Sequence, residues 1–359
     1  MTRRPAREKL LAEHRSKVAI MRVFIAGGSG LIGRSLALDL LNGGHEPVIL
    51  SRDADHLRRE RAMWPYQVVA GDPTTAGRWQ EAIDGCDAVV NLAGHNIFAK
   101  RWNSEIKRTL RDSRVHSAEQ LVAAIKQARS RPRVFVQGSA IGFYGPKGDE
   151  ELDESSPSGS DFLAVLSREC EEVSATIEAA GVRRAVVRTG IVLAPGAGAL
   201  QIMTPIFKLA PGAPIGSAGR FLAKGSQWMS WIHIDDIVGI IRLAVENAGA
   251  SGPLNGTAPE PVRNAEFAKT FSSVLRTRLT PWRVFVPFGP PDGLLNLVLG
   301  EVAGIITTGQ KVLPAKALAL GYSFKYPRLA GALRAIVTHV PAAVVPVETT
   351  HAAGSHAHH

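Results

Sequence analysis

The chain has 359 residues, 45 % of them hydrophobic, enough for a large core or two unequal domains, and carries a formal charge of +10 from 42 Lys and Arg against 32 Asp and Glu. Its two cysteines, Cys86 and Cys170, exclude a disulfide framework and a thiolate metal site and point to a reducing, cytoplasmic setting. No uninterrupted apolar run reaches the roughly 18 residues that a spanning helix needs, so no membrane partner is expected.

Residues 1–20 hold six basic side chains against two acidic ones and lack the apolar stretch and cleavage site of a secretory signal. They read as a basic N-terminal extension ahead of Met21. The run Val23, Phe24, Ile25, Ala26 then suits a strand buried on both faces. Glycines follow at 27, 28, 30 and 33. Residues 31–41 show helical apolar spacing stopped by Asn42, Gly43 and Gly44, and 47–50 form a second strand. This strand–helix–strand unit of about 30 residues is the frame of a dinucleotide site. Glycine is needed because a phosphate reaches main-chain N–H groups at a helix N-terminus only where no Cβ intervenes. Gly27, Gly28, Gly30, Leu31, Ile32 and Gly33 are therefore expected to bind the cofactor.

Dinucleotide enzymes specific for NAD place an acid at the end of the second strand, against the ribose 2′-OH. Here that position is Ser51, followed by Arg52. A hydroxyl and a guanidinium suit a 2′-phosphate, which a carboxylate would repel, so the expected cofactor is NADP(H). Asp53 comes two positions late and reads as a cap of the next turn.

Residues 67–72 predict a third strand and turn. Asp72 either contacts adenine or is a plain turn carboxylate. A short helix is expected over 79–85 and a fourth strand over 87–92. That strand runs into Asn91, Leu92, Ala93 and Gly94, small residues across which a cofactor can lie at the switch point of the sheet. A long helix follows over 103–129, carrying Lys107, Arg108, Arg111 and Arg114. Without an aromatic ladder or nucleic-acid module this reads as a basic helix near an anionic cofactor, and no nucleic-acid partner is expected.

The fifth strand, 134–138, ends in Ser139, and Tyr144 lies five residues on. An acidic, Ser- and Pro-rich loop spans 147–160, a helix 161–180, and a sixth strand 184–192. Alternating βα units predict an α/β fold, a doubly wound parallel Rossmann sheet, over 21–255. Glycine and proline crowd 194–232, a loop-rich stretch suited to covering a cleft, with a strand at 231–234 and a helix from Asp235 to Val245. A smaller C-terminal α+β domain is expected over 256–337, on the substrate side, and a disordered tail over 338–359.

With these motifs placed, the chain resembles the atypical short-chain dehydrogenase/reductases, specifically the NAD-dependent epimerase/dehydratase-like epimerase family. The marks are AGGSGLIG at 26–33, LSR at 50–52, NLAGHNI at 91–97, RWNSEIKRTLRDSR at 101–114, SAIGFYG at 139–145, RTGIVLAPGAGAL at 188–200, SWIHIDD at 230–236 and NGTAPEPVRNAEF at 255–267. Residues 299–327 resemble the family's C-terminal domain of unknown function. The resemblance implies roles for Arg114 at a cofactor phosphate and Glu171 at the ribose or nicotinamide; both also read as ordinary helix-surface charges.

Catalytic members of the superfamily use a Ser or Thr with a Tyr-x-x-x-Lys pair on the following helix, the lysine lowering the tyrosine pKa and the tyrosine moving the proton. Ser139 matches the serine. Phe162 and Leu166 align with the tyrosine and lysine, and neither can do that chemistry. Tyr144 is then a candidate proton donor, the other reading being a packed aromatic at a strand end. His95, after the Asn91–Gly94 turn, is another candidate that could titrate near neutrality, the other reading being an exposed loop histidine, and His233 reads as a hydrogen-bonded structural histidine rather than a base. Three functions follow: an NADP(H)-dependent oxidoreductase or epimerase-like enzyme acting on an undefined, sugar-like small molecule through Ser139 and Tyr144; a cofactor-binding regulator or scaffold; or a basic surface binder that borrows the fold.

Overall fold

The computed structural model describes residues 20–60, 66–209, 214, 225–279, 297 and 300–338. Nearly all of the expected N-terminal extension, the tail after Thr338 and much of the expected cleft cover lie outside these residues.

The chain opens with β1 (Arg22–Ala26), α1 (Leu31–Asn42), β2 (Glu46–Ser51), α2 (Ala54–Glu60), β3 (Gln67–Ala70) and β4 (Ala88–Asn91). It continues with α3 (Ser104–Gln127), β5 (Val134–Ala140), β6 (Glu151–Leu152), α4 (Phe162–Ala175), β7 (Arg183–Thr189), β8 (Ile191–Ala194) and α5 (Gly198–Leu209). Then come β9 (Trp228–Met229), β10 (Trp231–His233), α6 (Ile234–Glu246), β11 (Gly252–Gly256), β12 (Val262–Arg263), α7 (Asn264–Leu279), α8 (Val302–Thr307), β13 (Lys311–Val312), α9 (Ala315–Ala319) and α10 (Leu329–Thr338).

Seven strands form one parallel sheet in the order β11-β7-β5-β4-β1-β2-β3. The alternation of side chains explains its two-sided burial. Val23, Ile25, Ile49, Val90, Val136 and Val187 face α1 and α6, meeting Leu36, Leu40, Ile237 and Ile241. Phe24, Val48, Val89 and Phe135 face the other way, onto Leu121 and Ile125 of α3 and onto Trp79. The chain winds outward in opposite directions from β1 and β4. This leaves a crevice beyond their C-terminal ends, where open α/β sheets bind ligands.

The fold matches the expected doubly wound Rossmann sheet, with three local differences. The expected single strand over 184–192 breaks at Gly190, where an added Cβ would lie 2.5 Å from the Ser230 carbonyl oxygen. β8 there leaves the main sheet and pairs with β10. The sequence Gly-Pro-Leu-Asn-Gly, read as a boundary, is instead the seventh strand, because pairing with β7 satisfies its backbone in register. The acidic loop contains β6, which pairs in parallel with β13 near the C-terminus. A second core, in which Trp231, Phe267, Phe271, Leu329, Leu333 and Ile336 meet, packs α7 and α10 against β8 and β10.

Candidate functional site

The first loop of the crevice is a backbone-only surface. Gly27 has φ +77°, and a Cβ there would lie 2.6 Å from the Leu92 carbonyl, so the ends of β1 and β4 touch directly. A Cβ on Gly33 would lie 2.4 Å from the Gly27 oxygen, and one on Gly28 would strike Ile49. Gly30 is exposed and would meet only the Gly27 oxygen, at 3.3 Å. It is the N-cap of α1 and offers no side-chain bond, and no acid occupies the first turn, Leu31 included. The positive end of α1 therefore opens on the crevice without an internal counter-charge.

At the end of β2, Ser51 is buried, and its Oγ accepts from the Asp53 N–H at 3.2 Å. Asp53 in turn caps α2, accepting from the His56 N–H at 3.1 Å. Arg52 is exposed beside this edge. The Asp72 carboxylate accepts from the Thr74 N–H at 2.9 Å and the Thr74 hydroxyl at 2.7 Å, an Asx-type turn. Burial alone would raise its pKa, but the Thr74 bonds and the Arg52 charge hold it below the ordinary value.

The Asn91 side chain turns inward. Its amide donates to Ser117 Oγ and Gln137 Oε1, and its Oδ1 accepts from the Ala93 N–H at 3.1 Å. Asn91 thus shapes the turn, leaving the backbone of Leu92, Ala93 and Gly94 along the crevice. Arg114 braces this turn from α3, donating to the His95 carbonyl at 3.0 Å and the Leu110 carbonyl at 3.1 Å. Its guanidinium would lie 3.1 Å from a Cβ on Gly94, and burial pulls its pKa down.

The polar centre lies on the α4 face of the sheet. Ser139, Arg188 and Asn255 are successive register partners on β5, β7 and β11, so their side chains leave the same face. The Ser139 hydroxyl donates to Glu171 Oε1 at 2.7 Å. Arg188 donates through Nε to Oε1 at 3.0 Å and through Nη2 to Oε2 at 2.8 Å, a bidentate pair with side chains only 5 % and 11 % exposed. Burial alone would lower the Arg188 pKa; its bonds to Glu171 carry it above the ordinary value instead. The guanidinium also stacks 3.4 Å from the centre of the Phe143 ring.

Two sequence expectations change here. Tyr144 does not front the crevice: it is fully buried, donating to Asn255 Oδ1 at 2.7 Å and accepting from Arg188 Nη1 at 3.0 Å. Burial pushes its pKa up, which makes the phenol a poorer proton donor. The packed-aromatic reading therefore fits, with a hydroxyl committed on both sides. Phe162 and Leu166 point away from Ser139. Phe162 meets the Trp102 ring edge-on, and Leu166 packs with Leu110 and Val115 of α3. The face of α4 that meets the end of β5 carries Leu163, beside Gly142, and Glu171 two turns later, with Ser167 between them by helical period. Leu163 and Ser167, not Phe162 and Leu166, are the pair on that face with the Tyr-x-x-x-Lys spacing. Neither is a phenol or an ammonium.

Of the histidines, His233 caps α6 through Nδ1 and stacks 3.9 Å from the Tyr326 ring, as a structural histidine should. Sequence reasoning missed Arg188 and Asn255. The available signal was an arginine directly after Ala-Val-Val, inside the stretch of the strand where both faces should be apolar.

The profile of the NAD dependent epimerase/dehydratase family matches residues 23–255, and that of a domain of unknown function (DUF1731) matches residues 290–336. The chain belongs to the NAD dependent epimerase/dehydratase family. Within it, the chain is 38 % identical over 325 residues to the chloroplastic epimerase family protein SDR39U1 homolog of Arabidopsis thaliana, covering 89 % of this chain and 88 % of that one. It is 36 % identical to human epimerase family protein SDR39U1, covering 88 % of this chain and all of the relative. The crystal structure of the human protein (isoform 2) with NADPH superposes with a TM-score of 0.75 at 35 % identity, over 89 % of this chain and 100 % of that one. Among the described residues no helix is long and apolar enough to cross a membrane.

Proposed function

We propose that the protein binds NADPH along the C-terminal edge of its parallel sheet and acts as an oxidoreductase or epimerase-like enzyme on a small, sugar-like molecule. The observation that carries this is the pairing of a Cβ-free, uncapped start of α1 with an exposed arginine, rather than an acid, at the end of β2. Gly27, Gly28 and Gly30 with the first turn, Leu31, Ile32 and Gly33, would hold the pyrophosphate. Ser51 and Arg52 would hold the 2′-phosphate, with Asp72 toward adenine. Asn91, Leu92, Ala93 and Gly94, braced by Arg114, would line the middle, and Ser139 and Glu171 the nicotinamide end. The human relative, crystallised with NADPH, supports the cofactor.

When bound, the reduced cofactor, NADPH, would supply a hydride and the oxidised form, NADP+, would take one. The chain's own part is to orient the substrate and handle its proton. With its hydrogen committed to Glu171, Ser139 offers a ligand its lone pairs and suits a substrate hydroxyl. The α4 face lacks the phenol and ammonium of the standard relay, so turnover by that route is not expected.

A second reading, an NADPH-binding regulator without turnover, is favoured by that same deficit and by the closed Ser139–Glu171–Arg188 arrangement. The working environment belongs to the proposal too: a cytoplasmic protein with neither nucleic acid nor membrane as partner, which two buried free cysteines suit. Fluorescence titration of the full chain with NADPH and NADH tests the core of it. NADPH should bind at least about tenfold more tightly, and equal affinities would overturn the reading. Steady NADPH consumption, or conversion of a sugar to its epimer without net consumption, with a panel of sugar nucleotides and simple ketoses then separates enzyme from regulator.

A further inference from the structure

We infer that the C-terminal domain of unknown function has a task at the ligand site: its residues 310–316 position Ser139 through a continuous buried chain formed by Asn255, Tyr144, Arg188 and Glu171. The inference rests on the reading that NADPH binds beside Ser139.

Each link of the chain has a fixed sense. The Asn255 amide donates to the Leu313 carbonyl at 2.9 Å, and its Oδ1 accepts from Tyr144 at 2.7 Å. Rotating that amide would set oxygen against the Leu313 oxygen, so its orientation is decided by its neighbours. Tyr144 has one proton, given to Asn255, and must therefore accept from Arg188. Arg188 also donates through Nε and Nη2 to Glu171, a carboxylate that can only accept, so Oε1 takes the Ser139 proton beside the Arg188 Nε bond. From Leu313 to Ser139 no hydroxyl or amide on this path is free to reverse.

The far end is anchored. Glu154 accepts from the Asn255 N–H at 2.8 Å and the Lys316 N–H at 3.2 Å. Thr257 Oγ1 donates to the Val312 carbonyl, while Ser230 Oγ accepts from the Val312 N–H and donates to the Gln310 carbonyl. β13 adds its pairing with β6. The segment therefore grips the Asn255 strand from the side away from Ser139.

Burying a charged pair in such a chain is poor value for stability, since apolar residues of like volume pack as well without the desolvation cost. What it does supply is orientation, because successive bonds in a low-dielectric interior polarise one another and hold one arrangement. Asn255 and Tyr144 are positioning residues here. A ligand that bonds to Ser139 tightens the chain, and residues 310–316 register it.

Hydrogen exchange of the full chain, with and without NADPH, reads this directly. In the unmodified protein NADPH should slow exchange of the 312, 313 and 316 amides by about tenfold. Ser139→Ala and Tyr144→Phe cut the path at two places, and both should lose that protection when compared at an NADPH concentration shown by fluorescence titration to saturate each variant. Ser139→Thr keeps the hydroxyl and should retain it, which a merely structural role for the serine would not predict. If Tyr144→Phe fails to fold, the Ser139→Ala and Ser139→Thr pair decides alone. Protection that survives Ser139→Ala, or is missing from unmodified protein saturated with NADPH, overturns the inference. Failure of the unmodified protein to bind NADPH instead removes the functional reading beneath it.

Discussion

Ser139 and Arg188 stand opposite one another on neighbouring parallel strands and bond the same carboxylate oxygen, Oε1 of Glu171, at 2.7 and 3.0 Å. One acid thus serves as counter-ion to a buried cation and as the partner of the serine at the ligand edge. Glu171→Ala should cost about 3–5 kcal/mol, because it strands the Arg188 guanidinium in the interior. Replacing both, Glu171→Leu with Arg188→Met, should cost less than that single change, since no buried charge is left over. Urea unfolding of the variants measures both values. A double variant as unstable as the sum of the singles would show that the pair is not coupled.

The second prediction concerns cofactor choice. Ser51 is buried and bonded to the Asp53 N–H, which leaves Arg52 as the exposed charge at that edge. Arg52→Asp should weaken NADPH binding by about tenfold to a hundredfold and leave NADH unchanged or improved, since a carboxylate repels a 2′-phosphate but accepts from a 2′-OH. Fold should be unaffected at this exposed site, so the two titration curves give a direct answer. Parallel losses for both cofactors would place Arg52 outside the discrimination.

Gly30 and Gly33 should behave differently when each is changed to alanine. At Gly33 the added methyl lies 2.4 Å from the Gly27 oxygen, a backbone atom that cannot swing aside. That variant should lose about 1–3 kcal/mol of stability from overpacking and bind NADPH poorly as well. Gly30 has φ −76° and would meet only one atom, at 3.3 Å. Gly30→Ala should melt close to the unmodified protein yet bind NADPH about tenfold more weakly, because its Cβ projects where the phosphate approaches. Thermal melting and cofactor titration together test the split.

The fold was legible because its signals are local. The apolar run from Val23 to Ala26, the glycines and the helix stop at Asn42–Gly44 lie within one βαβ unit and need no distant partner. The Ser139 centre was less legible because its links span the chain. Arg188 meets Glu171 across 17 residues of sequence and Tyr144 across 44, and Tyr144 meets Asn255 across 111. No periodicity announces such contacts. The shift from Phe162 and Leu166 to Leu163 and Ser167 shows a sharper limit. One residue turns a helix by about 100°, enough to exchange the face on α3 for the face on Ser139. The strand at β11 escaped for a different reason: Gly-Pro-Leu-Asn-Gly has turn chemistry, and only pairing with β7 overrides it.

The last prediction is alkaline. Cys86 and Cys170 are each 2 % exposed, and burial, the leading cause, pushes their thiols up from 9.0 to about 11 and about 12. The folded state then holds two protons that the unfolded chain releases near pH 9. The stabilisation this represents is complete below the unfolded value and is lost as pH rises through the folded ones, so stability should fall progressively from about pH 9 to about pH 12. Tyr144 and Tyr322, whose phenols burial also raises, add to the fall in the same direction. At pH 8 neither thiol is ionised or accessible in the native protein, so a disulfide reagent such as DTNB should label none within minutes and both once the chain is unfolded in guanidinium. Cys170→Ala should move the alkaline unfolding midpoint upward, since it removes the group with the larger shift, although the cavity lowers stability at neutral pH. A native thiol that reacts at the rate of free cysteine would contradict the burial of that residue, and an alkaline midpoint unmoved by Cys170→Ala would assign the pH dependence to the tyrosines.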